Sequence, residues 1–202
     1  MKNLILIFSA SILLIITGCR SSDFEISTPT NEENEELVKI GNAVSNDLLV
    51  SLKGELKKAI EEGGFKNAIA VCNLKAIPIT EIVANKTDKK VTVKRTTFQY
   101  RNPANAPNEA EKQALDFYIG RFEANKAIPD IYTQKVSEKG QEYYYFYKPL
   151  VMDNLCLMCH GTSQTMQSEM MAFIDELYPE DMAVGYKEGD FRALVSIRID
   201  DL

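Results

Sequence analysis

Cys156-Leu157-Met158-Cys159-His160 is the stretch of this sequence best equipped for chemistry. Two thiols three positions apart can reach the two vinyl groups along one edge of a porphyrin. The residue that follows can turn its imidazole under the iron. The pattern is the attachment signature of a c-type haem, with Cys156 and Cys159 as thioether donors and His160 as proximal ligand. His160 is the single histidine of the chain, so any chemistry that needs imidazole must use it. A Ser-His-Asp hydrolase would have to take its histidine from inside a cysteine motif, which argues against that class.

Three other readings of the pair are weaker. A disulfide across so small a loop constrains little unfolded-chain entropy. A thioredoxin-like redox pair opens a helix after a strand in a βαβ unit, and the flanks show no such unit. A Cys3His zinc site from Cys72, Cys156, Cys159 and His160 is allowed by count. It would require the adjacent Cys159 and His160 to bind one tetrahedral ion, which is awkward. The position opposite His160 on the iron has no second histidine to fill it. Cys72, in an apolar helical segment, and a methionine (Met166, Met170, Met171 or Met182) are equally matched by composition, and an open iron is a third option. Both residue types are ordinary core fillers as well.

Export agrees with the motif, since haem c is attached outside the cytoplasm in bacteria. Lys2 precedes an apolar run, 4–16, that is too short to span a bilayer and suits a signal peptide. The run ends in Ile16-Thr17-Gly18-Cys19, which resembles the bacterial lipobox and makes Cys19 the lipidation site. The expected organisation is a lipoprotein signal peptide at 1–18, a flexible tether at 19–34 and one haem-binding domain at 35–202. Several acyl chains on one residue hold a protein on a membrane far better than one, which places it on the periplasmic side of a bacterial membrane.

The elements that must position the motif follow from periodicity. Leu37, Ile40, Val44, Leu48, Leu52, Leu56 and Ile60 form one stripe over 35–62, a long helix stopped by Gly63-Gly64. A second helix runs from Phe65 past Cys72 until Pro78 interrupts it, with a helical turn at 80–84. The alternating, β-branched stretch 90–100 predicts a strand, and the Pro/Asn-rich stretch 101–108 a turn region. A helix over 109–124 is followed by a hairpin, 131–136 and 143–150, around Glu138-Lys139-Gly140. The run Tyr143-Tyr144-Tyr145-Phe146-Tyr147 suits a strand with both faces covered. A helix over 167–177 and a strand over 192–199 complete an α+β domain.

Four stretches carry a family resemblance: AIAVCNLKAIPI (68–79), VKRTTFQYRNPANAPNEAE (93–111), YYFYKPLVMDNLCLMCHG (144–161) and YPEDMAVGYKEGDFRALVSI (178–197). In this order they resemble the bacterial single-haem c-type family with a PAS-like fold, found as free periplasmic proteins and as sensor parts of receptors and kinases. The resemblance implies a PAS-like antiparallel sheet with flanking helices and one covalent haem. It also implies Cys72 as the distal iron ligand opposite His160. Ala193 stands where the family pattern suggests glycine. Arg95 and Arg101, inside the matched block, are candidates for pairing with haem propionates. Asp181 and Asp190 read as loop-capping residues without assigned chemistry.

A formal net charge of −6 argues against nucleic acid as a partner, since that needs a basic face. A Cys/His-ligated iron favours the ferric state and a low potential. Release of the thiolate on reduction would admit a small gas such as NO or CO. The expectation is a membrane-tethered redox or gas sensor, or a low-potential electron-transfer protein, working through an unidentified redox or signalling protein. With no kinase, cyclase or receptor segment after Leu202, any signal has to pass to that other protein. A peroxidase-like enzyme with an open distal site is the rival reading, though no spare histidine is available to serve it. A zinc-stabilised binding module is the second rival.

Overall fold

The strand β4 (Gln141–Val151) owes its place at the centre of the fold to the aromatic run. Side chains alternate across a strand, so Tyr144 and Phe146 enter one apolar layer while Tyr143, Tyr145 and Tyr147 enter the other. The computed structural model describes residues 23–202. The expected signal peptide at 1–18 and the lipidation site Cys19 lie outside the described residues. Five antiparallel strands form one sheet in the order β1-β3-β4-β5-β2: β1 (Phe24–Ser27), β2 (Val91–Thr96), β3 (Tyr132–Glu138), β4 and β5 (Phe191–Ile199). Helix α2 (Glu109–Glu123) covers the face of Tyr145 and Tyr147 through Ala110, Ala114, Leu115 and Tyr118. The opposite face receives Leu37, Val44 and Leu48 of α1 (Asn31–Ala84) against Phe146, Val195, Ile197 and Ile199. The fold is α+β with an antiparallel sheet, a long N-terminal helix and flanking helices, as expected.

As expected, the glycine pair ends the first helical arm of α1, and a second arm begins after it. Gly63 (φ −159°) and Gly64 (φ 70°) leave helical geometry, and the positive φ of Gly64 is one that glycine adopts without steric cost. The chain doubles back, and Lys75–Glu55 (2.7 Å) and Lys86–Asp47 (2.8 Å) link the two arms. The second arm passes through Pro78 and continues to Ala84, contrary to the expected interruption. Proline inside a helix costs about 3 kcal/mol. Burial of Val83, with Ile79 and Ala84 packed against the core, offsets that cost.

The expected flexible tether is ordered wherever it is described. Phe24–Ser27 pairs with β3 in the register Phe24↔Glu138 to Ser27↔Lys135. Thr30 and Glu33 then form a reciprocal capping box that starts α1 at Asn31. Glu33 Oε1 also accepts hydrogen bonds from Tyr144 Oη (2.6 Å) and Lys135 Nζ (2.9 Å). The remaining elements keep close to their expected places. β2 stops at Thr96 because Thr97 turns aside, its N–H reaching Asn105 O (3.4 Å) and its hydroxyl Arg192 O (3.1 Å).

Two outcomes test this arrangement. A β-carbon on Gly41 would collide with the Phe146 ring, so Gly41→Ala should cost about 1–3 kcal/mol in chemical denaturation. Adding Phe146→Leu should recover part of that loss. An unchanged midpoint for Gly41→Ala would mean that α1 is not seated there. The hydrogen bond from Tyr144, then that from Lys135, holds the Glu33 carboxyl down to about 2. A depressed carboxyl contributes stability above its unfolded value and loses it as pH falls through the folded one. Glu33→Gln should therefore cost about 1 kcal/mol at neutral pH. It should also flatten the loss of stability of the wild type between pH 5 and 2.

Candidate haem site

The CxxCH motif lies on α3 (Leu157–His160), a single helical turn directly after β4. Asp153 starts this turn. Its Oδ1 accepts the Cys156 N–H (3.1 Å) and lies 3.2 Å from Cys156 Sγ, the thiol donating. That thiol bond holds the Asp153 carboxyl below its usual range, while burial raises the thiol of Cys156. Cys159 N and His160 N both donate to Cys156 O, at 3.2 and 3.0 Å. The two cysteines are thus carried on one rigid turn. The thiols of Cys72, Cys156 and Cys159 are all free, and burial pushes Cys159 up to about 11.

His160 is held from the loop that precedes β5. Its Nδ1 lies 2.7 Å from Ala183 O. A carbonyl only accepts, so Nδ1 carries the proton and Nε2 keeps its lone pair. Two backbone bonds fix the same junction: Tyr186 N to His160 O (3.0 Å) and Gly185 N to Gly161 O (2.8 Å). Burial, then the charges of Arg101 and Arg192, hold the imidazole well below its ordinary pKa. A neutral, tautomerically fixed imidazole with its Nε2 lone pair uncommitted is the form that binds a metal.

The three arginines around this point do different things. Arg101 Nε and Nη2 lie 3.1 and 2.9 Å from Asp181 Oδ2, and Nη2 donates to Cys159 O (2.6 Å). Its Nε and Nη2 are committed to the protein itself. Asp181 is correspondingly more than a loop cap, although its Oδ1 does accept the Ala183 N–H (2.8 Å). Asp190 caps its loop as expected, taking Lys187 N at 2.7 Å. Arg192 Nη1 donates to Gln99 O (3.0 Å), and its guanidinium lies 5.2 Å from the Tyr186 ring centroid. Arg95, half-buried on β2, makes no side-chain hydrogen bond or ion pair among the described residues, and burial lowers its pKa. Its electrostatic neighbours are Cys72 and Tyr178.

Cys72 sits half-buried on the second arm of α1. Burial raises its thiol, and Arg95 and Arg101 pull it back. Its charge also reaches Cys159, so the structure brings Cys72, Arg95, Arg101, Cys159 and His160 into one neighbourhood. Ile69 of the same arm packs with Met166 and Ile174, and Cys159, Met170, Met171 and Tyr178 lie against that cluster. Of the four candidate methionines, Met166 is buried in the cluster while Met170 and Met171 pack against it half-buried. Met182 is 40% exposed, its N–H on Tyr100 O (3.0 Å). Among the described residues no three His, Cys, Asp or Glu side chains gather to hold a metal ion, so the Cys3His zinc site is not assembled. Sequence reasoning missed Asp153, Arg192 and the Ala183 carbonyl. Asp153 had a signal, its side chain lying three positions before the N–H it caps.

The donor set fits a c-type haem: two thiols on one turn, an imidazole with a fixed tautomer, a third thiol in the same neighbourhood and an unpaired guanidinium. The Tll0287-like family model matches residues 25–200. The chain belongs to the Tll0287-like family. The crystal structure of the cyanobacterial heme-protein Tll0287 is similar in fold, with a TM-score of 0.56 at 23% identity. That match covers 86% of this chain and 98% of that one. A comparison with curated proteins gives no match. The Tll0287-like match begins inside β1 and ends just past β5, so the ordered strand Phe24–Ser27 belongs to the family's domain.

Proposed function

We propose that this protein is a membrane-tethered mono-haem c-type cytochrome of low potential, acting in redox or gas sensing or in electron transfer. The observation that carries the reading is the His160 Nδ1–Ala183 O bond at the end of a CxxCH turn, which leaves Nε2 for iron. The solved relative is a heme-protein by its title, which supports the same cofactor here. Cys156 and Cys159 would hold the haem by thioether bonds, His160 would be the proximal ligand and Cys72 the distal one. Bound there, haem supplies one-electron redox chemistry and a coordination position on iron. Cys72 is supported over methionine because Met166, Met170 and Met171 are taken up by packing while the Cys72 thiol lies within the electrostatic reach of two arginines. Arg95, without a protein partner, suits a propionate carboxylate. The PAS-like reading is supported by the placing of β2, the strand after α1, beside the last strand β5.

Anchoring through Cys19 on the periplasmic side completes the proposal. With β1 beginning at Phe24, few residues separate that cysteine from the sheet. Phe24 lies beside Glu138, at the end of the sheet where β4 begins, and Lys139 N donates to Asp23 O (2.8 Å). β4 then runs for 11 residues before the chain enters the CxxCH turn. At about 3.3 Å per residue the haem site stands roughly 35 Å from the anchored end of the sheet. A partner reaches it from the aqueous side.

Protein matured with the c-haem attachment machinery should show a low-spin ferric spectrum with thiolate character and a negative midpoint potential. Cys72→Ala should lose the thiolate features and shift the midpoint upward. A clearly positive midpoint in the wild type would overturn the Cys/His reading, and a five-coordinate ferric spectrum would return peroxidase-like chemistry. Failure of the ferrous protein to bind CO or NO would remove the gas-sensing branch. Separately, Cys19→Ser should leave the haem spectrum intact and release the protein from the membrane fraction. Retention there would overturn the lipid anchor.

A further inference from the structure

Arg101 and Asp181 form an ion pair whose side chains are 13% and 3% exposed. The pair grips the proximal histidine from two sides. Arg101 Nη2 donates to the carbonyl of Cys159, the residue before His160, at 2.6 Å. The same nitrogen reaches Ala183 O at 3.4 Å, and that oxygen takes the Nδ1–H of His160 at 2.7 Å. Asp181 closes the ring from behind, its Oδ1 accepting the Ala183 N–H at 2.8 Å. The carbonyl that orients His160 is thus fixed by one member of the pair and shared with the other.

We propose that the Arg101–Asp181 pair is a positioning and tuning device for His160, setting how much electron density the imidazole offers through Nε2. The inference rests on the haem reading above. A stronger Nδ1–H···O bond makes Nε2 a better donor. Arg101 draws on the lone pairs of the same carbonyl and weakens that bond, and its positive charge opposes the ferric state. Asp181 offsets both effects with an opposite charge. The two members of the pair therefore push the iron in opposite directions, whereas scaffolding alone would loosen the site the same way whichever member was lost.

The test uses full-length haem-loaded protein as wild type, Arg101→Gln, Asp181→Asn and the double variant, in potentiometric titrations followed by optical spectra. Asn at 181 can still accept the Ala183 N–H, so the charge is removed with the loop bond kept. Arg101→Gln should move the midpoint to more negative values, Asp181→Asn to more positive ones, and the double variant should return near the wild type. If Arg101→Gln fails to take up haem, Asp181→Asn decides by its upward shift, and Arg101→Lys should stay closest to the wild type. Shifts of the same sign, or none with intact spectra, would overturn the proposal. A wild type that attaches no haem would overturn the haem reading instead.

Discussion

Antiparallel pairing of β4 with β5 decides where every piece of the site can be. The register runs from Tyr144↔Ile199 to Leu150↔Ala193 and, past an irregularity, Val151↔Phe191. Two backbone bonds extend it beyond the strands, Met152 N to Asp190 O and Gly189 N to Met152 O, both 2.9 Å. The exit of β4 into the CxxCH turn is thereby tied to the loop that enters β5. On the other side of β5, Thr96 pairs with Leu194, and Arg192 Nη1 bonds Gln99 O. The exit of β2 toward Arg101 is delivered to the same end of the sheet. Residues near 100, 156 and 182 meet because two ladders share the strand β5, and such strand-end loops are where a rigid scaffold places its chemistry.

Charge at that end is concentrated beyond what stability favours. Arg95, Arg101 and Arg192 all bear on one half-buried imidazole, and desolvated cations are costly unless paired. Arg101 is paired with Asp181 and also donates to a backbone carbonyl, and Arg192 has a carbonyl and an aromatic ring. Arg95 has neither. Unpaired and half-buried polar groups mark places where function opposes packing, and a positively lined site that keeps its histidine neutral suits a cofactor with two carboxylates.

The CxxCH turn, the helix faces and the aromatic strand were legible because each is local. CxxCH reads in five residues, the α1 stripe in seven periodic positions, and β4 in the rings that need two covered faces. Thr30-x-x-Glu33 was equally local, a capping-box spelling inside what read as a tether; its polar composition hid it. The pairing of Phe24–Ser27 was harder, since two apolar residues in a four-residue strand fall below any periodic signal, and the strand exists only through β3. Gly63-Gly64 was legible as the break between two helices, but that the second arm runs on through Pro78 depends on Val83 finding the core, a tertiary event. Arg101 and Asp181 are 80 positions apart. No spacing within one sequence links them, which is why Arg101 read as a surface cation available to a ligand.

The second arm of α1 shows how a helix can be fixed without being buried along its length. Its start is held by Ala68 and Ile69, and its end by Val83, all nearly inaccessible to solvent. Between them Leu74 is 76% exposed, and the links to the first arm are surface ion pairs of the kind that contribute little. Burying one Ile or Val side chain contributes roughly 1.5–3 kcal/mol, so the two apolar ends dominate the arm's attachment. Cys72 falls a single turn from the first of these anchors. The arm is pinned at its ends, and the position of Cys72 on it is set by Ile69 packing against Met166 and Ile174, the cluster on which Cys159 also rests. The segments that carry the proximal and distal candidates are therefore referenced to one apolar contact, although they lie far apart along the chain.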